Sequence, residues 1–291
     1  MSSQTAPVVV GYDGSQGSTA ALRWATAEAV REHAPLRIVE AFELEVVSRP
    51  SPGKVVPLAA LRSVRERGLE ALADGIRLQY PRLDVQTLLL EGTPAASLIE
   101  ETAQARLVVL GTRGLGGFSG AVLGSVAVQV SAHAHSPVVI VPADPRPSAH
   151  TTPTVVLGVD GSKVSARATD FAFEQAEAFG ARLVVVHAWR SPFSTYEHGK
   201  GELVFDKAEV RKAAELLVAE ALAGPLADYP DTEVDVRLVP GHPARALLQA
   251  AEGADLVVVG SRGRGGFTGL LLGSTGQHVL HHAPCPVAIV R

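Results

Sequence analysis

GTRGLGGFSGAVLGS (residues 111–125) and GSRGRGGFTGLLLGS (260–274) decide the architecture, because the second is the first written again 149 residues later. Ten of the fifteen positions are identical. The same offset carries Gly92-Thr93-Pro94 onto Gly241-His242-Pro243, and Ser136-Pro137-Val138 onto Cys285-Pro286-Val287. Near the start of each half, VVVGYDGS (8–15) answers VVLGVDGS (155–162) at an offset of 147. Four landmarks in one order at a nearly constant offset mark a tandem duplication, and a period this long excludes a solenoid of short repeats. Each copy is therefore a whole domain, as the chain length of 291 residues also allows. The boundaries read as domain 1 at 1–143, a linker at 144–152 and domain 2 at 153–291. The stretch PADPRPSAHTTP (142–153), rich in Pro, Ser and Thr, marks the join.

Outward from the repeated stretch, short apolar runs alternate with segments of helical spacing. The first half predicts strands at 8–10, 36–42, 85–90, 107–110 and 138–141. Between them stand a helix beginning after Ser15, its candidate N-cap, and helices at 58–79, 94–103 and 123–134. The second half repeats this, with strands at 155–159, 183–189, 233–239, 256–259 and 287–290. Its helices fall at 163–180, 204–227, 243–252 and 272–282. Strands that are apolar throughout, separated by helices, predict a parallel sheet covered on both faces. The fold class is α/β: two tandem, doubly wound domains, each with a five-stranded parallel sheet. Ligands of such sheets bind beyond the carboxyl ends of the strands, where the strand order reverses. The loops after the first and fourth strands, where the repeated glycines sit, are the candidates.

After the fourth strand the pattern is Gly-x2-Gly-x9-Gly-Ser: Gly111, Gly114, Gly124 and Ser125, then Gly260, Gly263, Gly273 and Ser274. Glycines here permit positive φ and close approach of the backbone to a ligand. Gly-Ser at a helix start offers free N–H groups, the positive dipole end and a hydroxyl to an anion. Arg113 and Arg262 add a cation to each loop, and the whole reads as a phosphate cradle. Gly-rich turns that only turn are the competing explanation. No Gly-x4-Gly-Lys-Ser/Thr occurs, so the loop is not of the Walker type. Gly114-Leu115-Gly116-Gly117-Phe118-Ser119 lacks the last glycine of a dinucleotide fingerprint and follows the wrong strand.

With an aspartate in the turn after the first strand, these residues resemble the ATP-binding universal stress proteins. The resemblance covers nearly the whole chain, twice, and the closing Pro-Val-x-Ile-Val strand fits it. It implies a Rossmann-like, adenine nucleotide alpha hydrolase-like fold and a stress-response regulator binding one ATP per domain. Carried over by position, the first site comprises Gly11, Asp13, Ala41, Gly111, Arg113, Gly114, Gly116, Gly117, Gly124 and Ser125. The second comprises Gly158, Asp160, Ala188, Gly260, Arg262, Gly263, Gly265, Gly266, Gly273 and Ser274. The loop residues would hold phosphates and ribose, Asp13 and Asp160 the nucleoside end, and Ala41 and Ala188 would lie against the adenine. The carboxylates could instead simply cap their own turns. A divalent cation, Mg2+ or Mn2+, would be held chiefly by phosphates and water. Neither loop carries a carboxylate, Gln or His to orient a water, so at most slow ATP hydrolysis and no catalytic residue is expected.

Composition narrows the partners. The chain carries 26 basic and 30 acidic residues, a net charge of −4, and so has no basic excess for binding nucleic acid. A single cysteine, Cys285, excludes an internal disulfide and reads as a buried apolar residue. No apolar run approaches a membrane span and no secretory leader is evident, so a cytoplasmic protein is expected. His278, His281 and His282 share a helical segment but have no carboxylate at ligand spacing, and no metal site is assigned to them. Trp24 and Trp189 read as core or near-core, and His187, beside Ala188, as a packed strand histidine that could alternatively reach the second site. The edge strands 138–141 and 287–290 invite pairing of the two domains within the chain, with a homodimer beyond that. Two rival functions stand. One is an ATP-activating enzyme, disfavoured because Gly-Tyr-Asp-Gly-Ser and Gly-Val-Asp-Gly-Ser lack the Ser-Gly-Gly-x-Asp-Ser loop of such enzymes. The other is a nucleotide-free interaction protein, disfavoured by the intact glycines.

Overall fold

The strands form because valine, leucine and isoleucine run without interruption: Val8, Val9 and Val10 have no exposed surface, nor do Leu256, Val257 and Val258. A computed structural model describes residues 5–43, 58–115, 123–146, 151–189, 207–264 and 272–291. It divides into two compact units, Met1–Asp144 and Pro145–Arg291.

Unit 1 runs β1 (Val8–Gly11), α1 (Gln16–Arg31), β2 (Leu36–Phe42), α2 (Leu58–Gln79), β3 (Val85–Glu91), α3 (Pro94–Glu101), β4 (Leu107–Gly111), α4 (Ser125–His133) and β5 (Val138–Val141). Its strands lie in the order β3-β2-β1-β4-β5, all parallel. The order reverses between β1 and β4, where Val8 pairs with Leu107 and Val10 with Val109. Unit 2 runs β6 (Thr154–Gly158), α5 (Lys163–Phe179), β7 (Arg182–Trp189), α6 (Lys207–Asp228), β8 (Val234–Pro240), α7 (Pro243–Ala250), β9 (Leu256–Gly260), α8 (Ser274–His282) and β10 (Val287–Val290). It has the corresponding order β8-β7-β6-β9-β10, with β6 and β9 flanking the reversal.

Stripes of alanine bring the central helices close to the sheet. Ala21, Ala25 and Ala29 of α1, and Ala168, Ala172 and Ala176 of α5, are buried at helical spacing. Serine caps start both helices: the Ser15 hydroxyl accepts the Ser18 N–H at 3.1 Å, and the Ser162 hydroxyl accepts that of Ser165 at 3.1 Å. Each ends on a left-handed residue, His33 in unit 1 (φ 51°) and Gly180 in unit 2 (φ 58°). Trp24 and Trp189 are half-buried.

The fourth helix of each unit begins two residues later than its sequence predicts, at Ser125 and Ser274 in place of 123 and 272. Gly124 and Gly273 are extended (φ −78°, ψ 154° and φ −67°, ψ 149°) and serve as N-caps. Their N–H groups are drawn back to the carbonyls of Thr112 and Ser261, at 2.7 and 2.8 Å. The helix cannot start before that bond is made.

Candidate functional site

The candidate site of unit 2 is a cavity of about 610 Å³ at the carboxyl ends of β6 and β9, a size suited to a small-molecule ligand. Gly158, Asp160, Ala188, Gly260, Arg262, Gly263, Gly273 and Ser274 all line it. Eight of the sequence-predicted residues thus meet at one place; Gly265 and Gly266, like Gly116 and Gly117 of unit 1, lie outside the described residues.

Reading the sequence alone overlooked Arg264, His242, Thr275, Ser165 and the apolar wall of Val186 and Leu247. Two of these had a signal. His242 is the middle residue of the repeated Gly-x-Pro landmark, and Arg264 is a variable position of the repeated loop. Thr275, in the first turn of α8, had none.

Each aspartate binds both loops of its site. In unit 1, Oδ1 of Asp13 accepts the Ser15 N–H at 3.0 Å and Oδ2 accepts the Leu115 N–H at 2.9 Å. In unit 2, Asp160 does the same with Ser162 and Arg264, both at 2.9 Å. The turn-capping role is therefore present in both copies, with a second bond fastening the Gly-rich loop to the turn after the first strand. Burial pushes the Asp13 pKa up, but hydrogen bonds from Ser15, Leu115 and Ser18 outweigh it and hold the pKa below the usual carboxylate value.

This changes why the loop glycines are needed. None of Gly111, Gly114 and Gly124, nor their counterparts Gly260, Gly263 and Gly273, has a positive φ. Of the two uses of glycine expected there, positive φ is not made at these positions, and Gly111, Gly114 and Gly263 supply room for close approach within the chain itself. A Cβ on Gly114 or Gly263 would collide with the Oδ2 of Asp13 or Asp160. One on Gly111 would collide with the backbone of Gly17, itself set in the first turn of α1 so that the loop can pass. Gly124 and Gly273 are different. A Cβ there would meet nothing closer than Thr112 O at 3.4 Å or Ser261 O at 3.5 Å. Among the described residues, neither strain nor packing accounts for glycine at these two helix starts.

The helix starts also differ in capping. Whereas α1 and α5 are closed by their own serines, no side chain among the described residues caps α4 or α8. In unit 2 that open start, Ser274-Thr275-Gly276, lines the cavity. The same cavity is lined by Arg262 and Arg264, so one site combines a helix start, two hydroxyl-bearing residues and two arginines, a composition suited to an anion.

His187 is packed. Its ring nitrogen Nδ1 meets the Val159 carbonyl at 2.7 Å and the side chain is buried, while Val186 and Ala188 on either side face the cavity. At the end of α8, the His278 and His282 rings stack at 4.3 Å and His282 Nδ1 approaches the His278 carbonyl at 2.9 Å. Cys285 is buried, which pushes its thiol pKa up to about 12. No helix among the described residues is long and apolar enough to cross a membrane.

The sequence profile of the Universal stress protein family matches residues 5–142 and again 152–291. The chain belongs to the universal stress protein family. A universal stress protein of Mycobacterium tuberculosis (strain H37Rv) is 37% identical over 294 aligned residues, spanning 98% of this chain and 96% of the relative. One from Mycolicibacterium smegmatis is 36% identical over 289, with the same coverage. Among solved structures, a universal stress protein from Archaeoglobus fulgidus superposes with a TM-score of 0.67 over 98% of both chains at 22% identity, a likeness of fold. The family thus accounts for both copies, the strand order and the position of the loops.

Proposed function

We propose that this universal stress protein is a cytoplasmic, ATP-binding regulator that holds one ATP in each unit and hydrolyses it very slowly or not at all. The observation that carries the reading is the pairing, in both units, of a helix start that no described side chain caps with a glycine that packing among the described residues does not require. A phosphate resting on that start would supply the missing cap and make use of the space left by the absent Cβ. In unit 2 the adenine would lie toward Ala188, Val186 and Leu247, and the phosphates toward Gly273, Ser274 and Arg262.

Asp160 is the only carboxylate lining the described cavity, and both of its oxygens already accept loop N–H groups. The described residues do not form a cage for a divalent ion, so Mg2+ or Mn2+ would arrive with the phosphates. The same engagement makes Asp160 a poor base for water, which supports slow hydrolysis. Nucleotide extracted from the purified chain, together with calorimetric titration, tests the proposal: one or two adenine nucleotides per chain is the expected result. Phosphate release during prolonged incubation with ATP, or AMP with pyrophosphate, would instead reveal turnover.

A further inference from the structure

The two units surround one scaffold with different side chains. The aspartate bridge is the same in both, to within 0.1 Å at its first bond and with the same 2.9 Å at its second. The uncapped Gly-Ser helix start is shared, as is the arginine two residues after the fourth strand (Arg113, Arg262). Six cavity-lining positions differ: Tyr12, Leu110 and Ala127 of unit 1 stand at Val159, Val259 and Gly276, and the other three bear on anion binding. Leu115 of unit 1 corresponds to Arg264, Val126 to Thr275 and Thr93 to His242. All three unit 2 residues line its cavity.

The largest chemical change is the gain of charge at Arg264. Leu115 is 75% exposed and offers an anion nothing, whereas Arg264 offers a guanidinium. One nitrogen of that guanidinium, Nη2, donates to the Gly161 carbonyl at 3.1 Å, which steadies the group over the loop. An arginine has five N–H donors in a planar fork, so this anchor leaves others for phosphate oxygens. Thr275 adds a hydroxyl in the first turn of α8, where Val126 has only methyls. His242 adds an imidazole at the N-cap of α7, where no side chain makes a capping bond. Positive charge continues behind the loop. Burial, then the charges of Arg262 and Arg167, lower the pKa of Arg291; in unit 1 the counterparts of Arg291 and Arg167 are the uncharged Pro142 and Ala20.

Resting on the ATP-binding reading above, we infer that the two sites are unequal: the site of unit 2 selects for a polyphosphate chain, and that of unit 1 recognises the nucleoside end with little gain from the outer phosphates. An added phosphate brings negative charge that unit 2 meets with one arginine more than unit 1 has at these positions. Charge-assisted hydrogen bonds are the stronger kind, though at an exposed loop salt screens them, so the expected effect is about fivefold.

The test is calorimetric titration of the full chain with ATP and with AMP, comparing wild type with Arg264→Leu and Leu115→Arg. Both positions are exposed, and a thermal melt confirms that each variant is folded. Arg264→Leu is expected to weaken the tighter class of ATP sites about fivefold and to move AMP less than twofold. Leu115→Arg is expected to strengthen the weaker class for ATP by a similar factor. Raised salt should narrow the difference. An ATP-to-AMP preference unchanged by both substitutions overturns the inference and leaves the ATP-binding reading intact. Failure of the wild type to bind either nucleotide overturns both.

Discussion

The carboxylate of Asp13 occupies the place that a side chain on Gly114 would need. The loop after β4 is glycine at that point so that it can settle on the aspartate, whose Oδ2 accepts the N–H of Leu115 at 2.9 Å. Asp13→Asn is therefore expected to weaken the ligand-free protein. An amide has a single acceptor oxygen, so either Ser15 or Leu115 loses its partner. The cost is about 1–2 kcal/mol, read by urea denaturation without nucleotide. A residue that served a ligand alone would leave this measurement unmoved.

Acid should undo the same bridge. The folded-state pKa of Asp13 lies below its ordinary value of 3.8. Its contribution to stability is therefore present above the unfolded pKa and is lost as pH falls through the lower, folded one. The stability difference between wild type and Asp13→Asn should be constant above pH 5 and shrink below about pH 4, where protonation removes the wild type's advantage. A difference independent of pH down to 2.5 would count against an ionised Asp13.

Much of this architecture is legible in the sequence, because β1, β4, β6 and β9 bury both faces and so must be apolar throughout. The 147–149-residue offset reveals the duplication before any element is assigned. Contacts between distant loops are not legible in the same way. Spacing shows that Gly114 and Asp13 recur together but not that one rests on the other, and it does not tell which glycines take the positive φ that the structure places at Gly14, Gly92, Gly161 and Gly241. Gly17 escaped notice because only the folded chain brings it against Gly111. His242 and Thr275 were missed because each has a bland counterpart, Thr93 and Val126, and a search for repetition discards what differs.

The ends of α1 and α5 use one geometry with different residues. His33 at φ 51° stands where unit 2 has Gly180 at φ 58°, and each is followed by an alanine N–H bonded five residues back, to Ala29 and Ala176. The left-handed conformation costs a residue with a Cβ about 1–2 kcal/mol, while glycine returns part of that through a more flexible unfolded chain. His33 is exposed, so little packing is lost. His33→Gly should stabilise the protein by roughly 0.5–1 kcal/mol, a rise of about 2 °C in Tm.

Cys285 should behave as a structural residue. Its thiol is buried, its pKa is raised to about 12, and Sγ lies 3.9 Å from the Ala251 carbonyl. Thiolate is the reactive form, so an aromatic disulfide reagent at pH 8 should label the native protein at the rate of opening and the urea-unfolded protein at once. Rapid labelling of the native chain would show that the entry to β10 is open.

The sharpest separation of ligand from scaffold lies at Gly273. Its φ of −67° suits any residue, and an added Cβ would come no nearer to the described residues than 3.5 Å. Gly273→Ala should therefore fold with a Tm within about 2 °C of wild type, since no strain or collision accompanies the methyl. That methyl would nonetheless stand at the uncapped start of α8, on the edge of the cavity, where a phosphate is proposed to rest against bare backbone. ATP affinity of the second site should fall at least tenfold by calorimetry, and Gly124→Ala should do the same to the first. Gly263→Ala, by contrast, should lower stability and affinity together, because it must first displace Asp160. If Gly273→Ala and Gly263→Ala lowered stability equally, or if neither changed ATP binding, the phosphate would have to rest elsewhere than on this helix start.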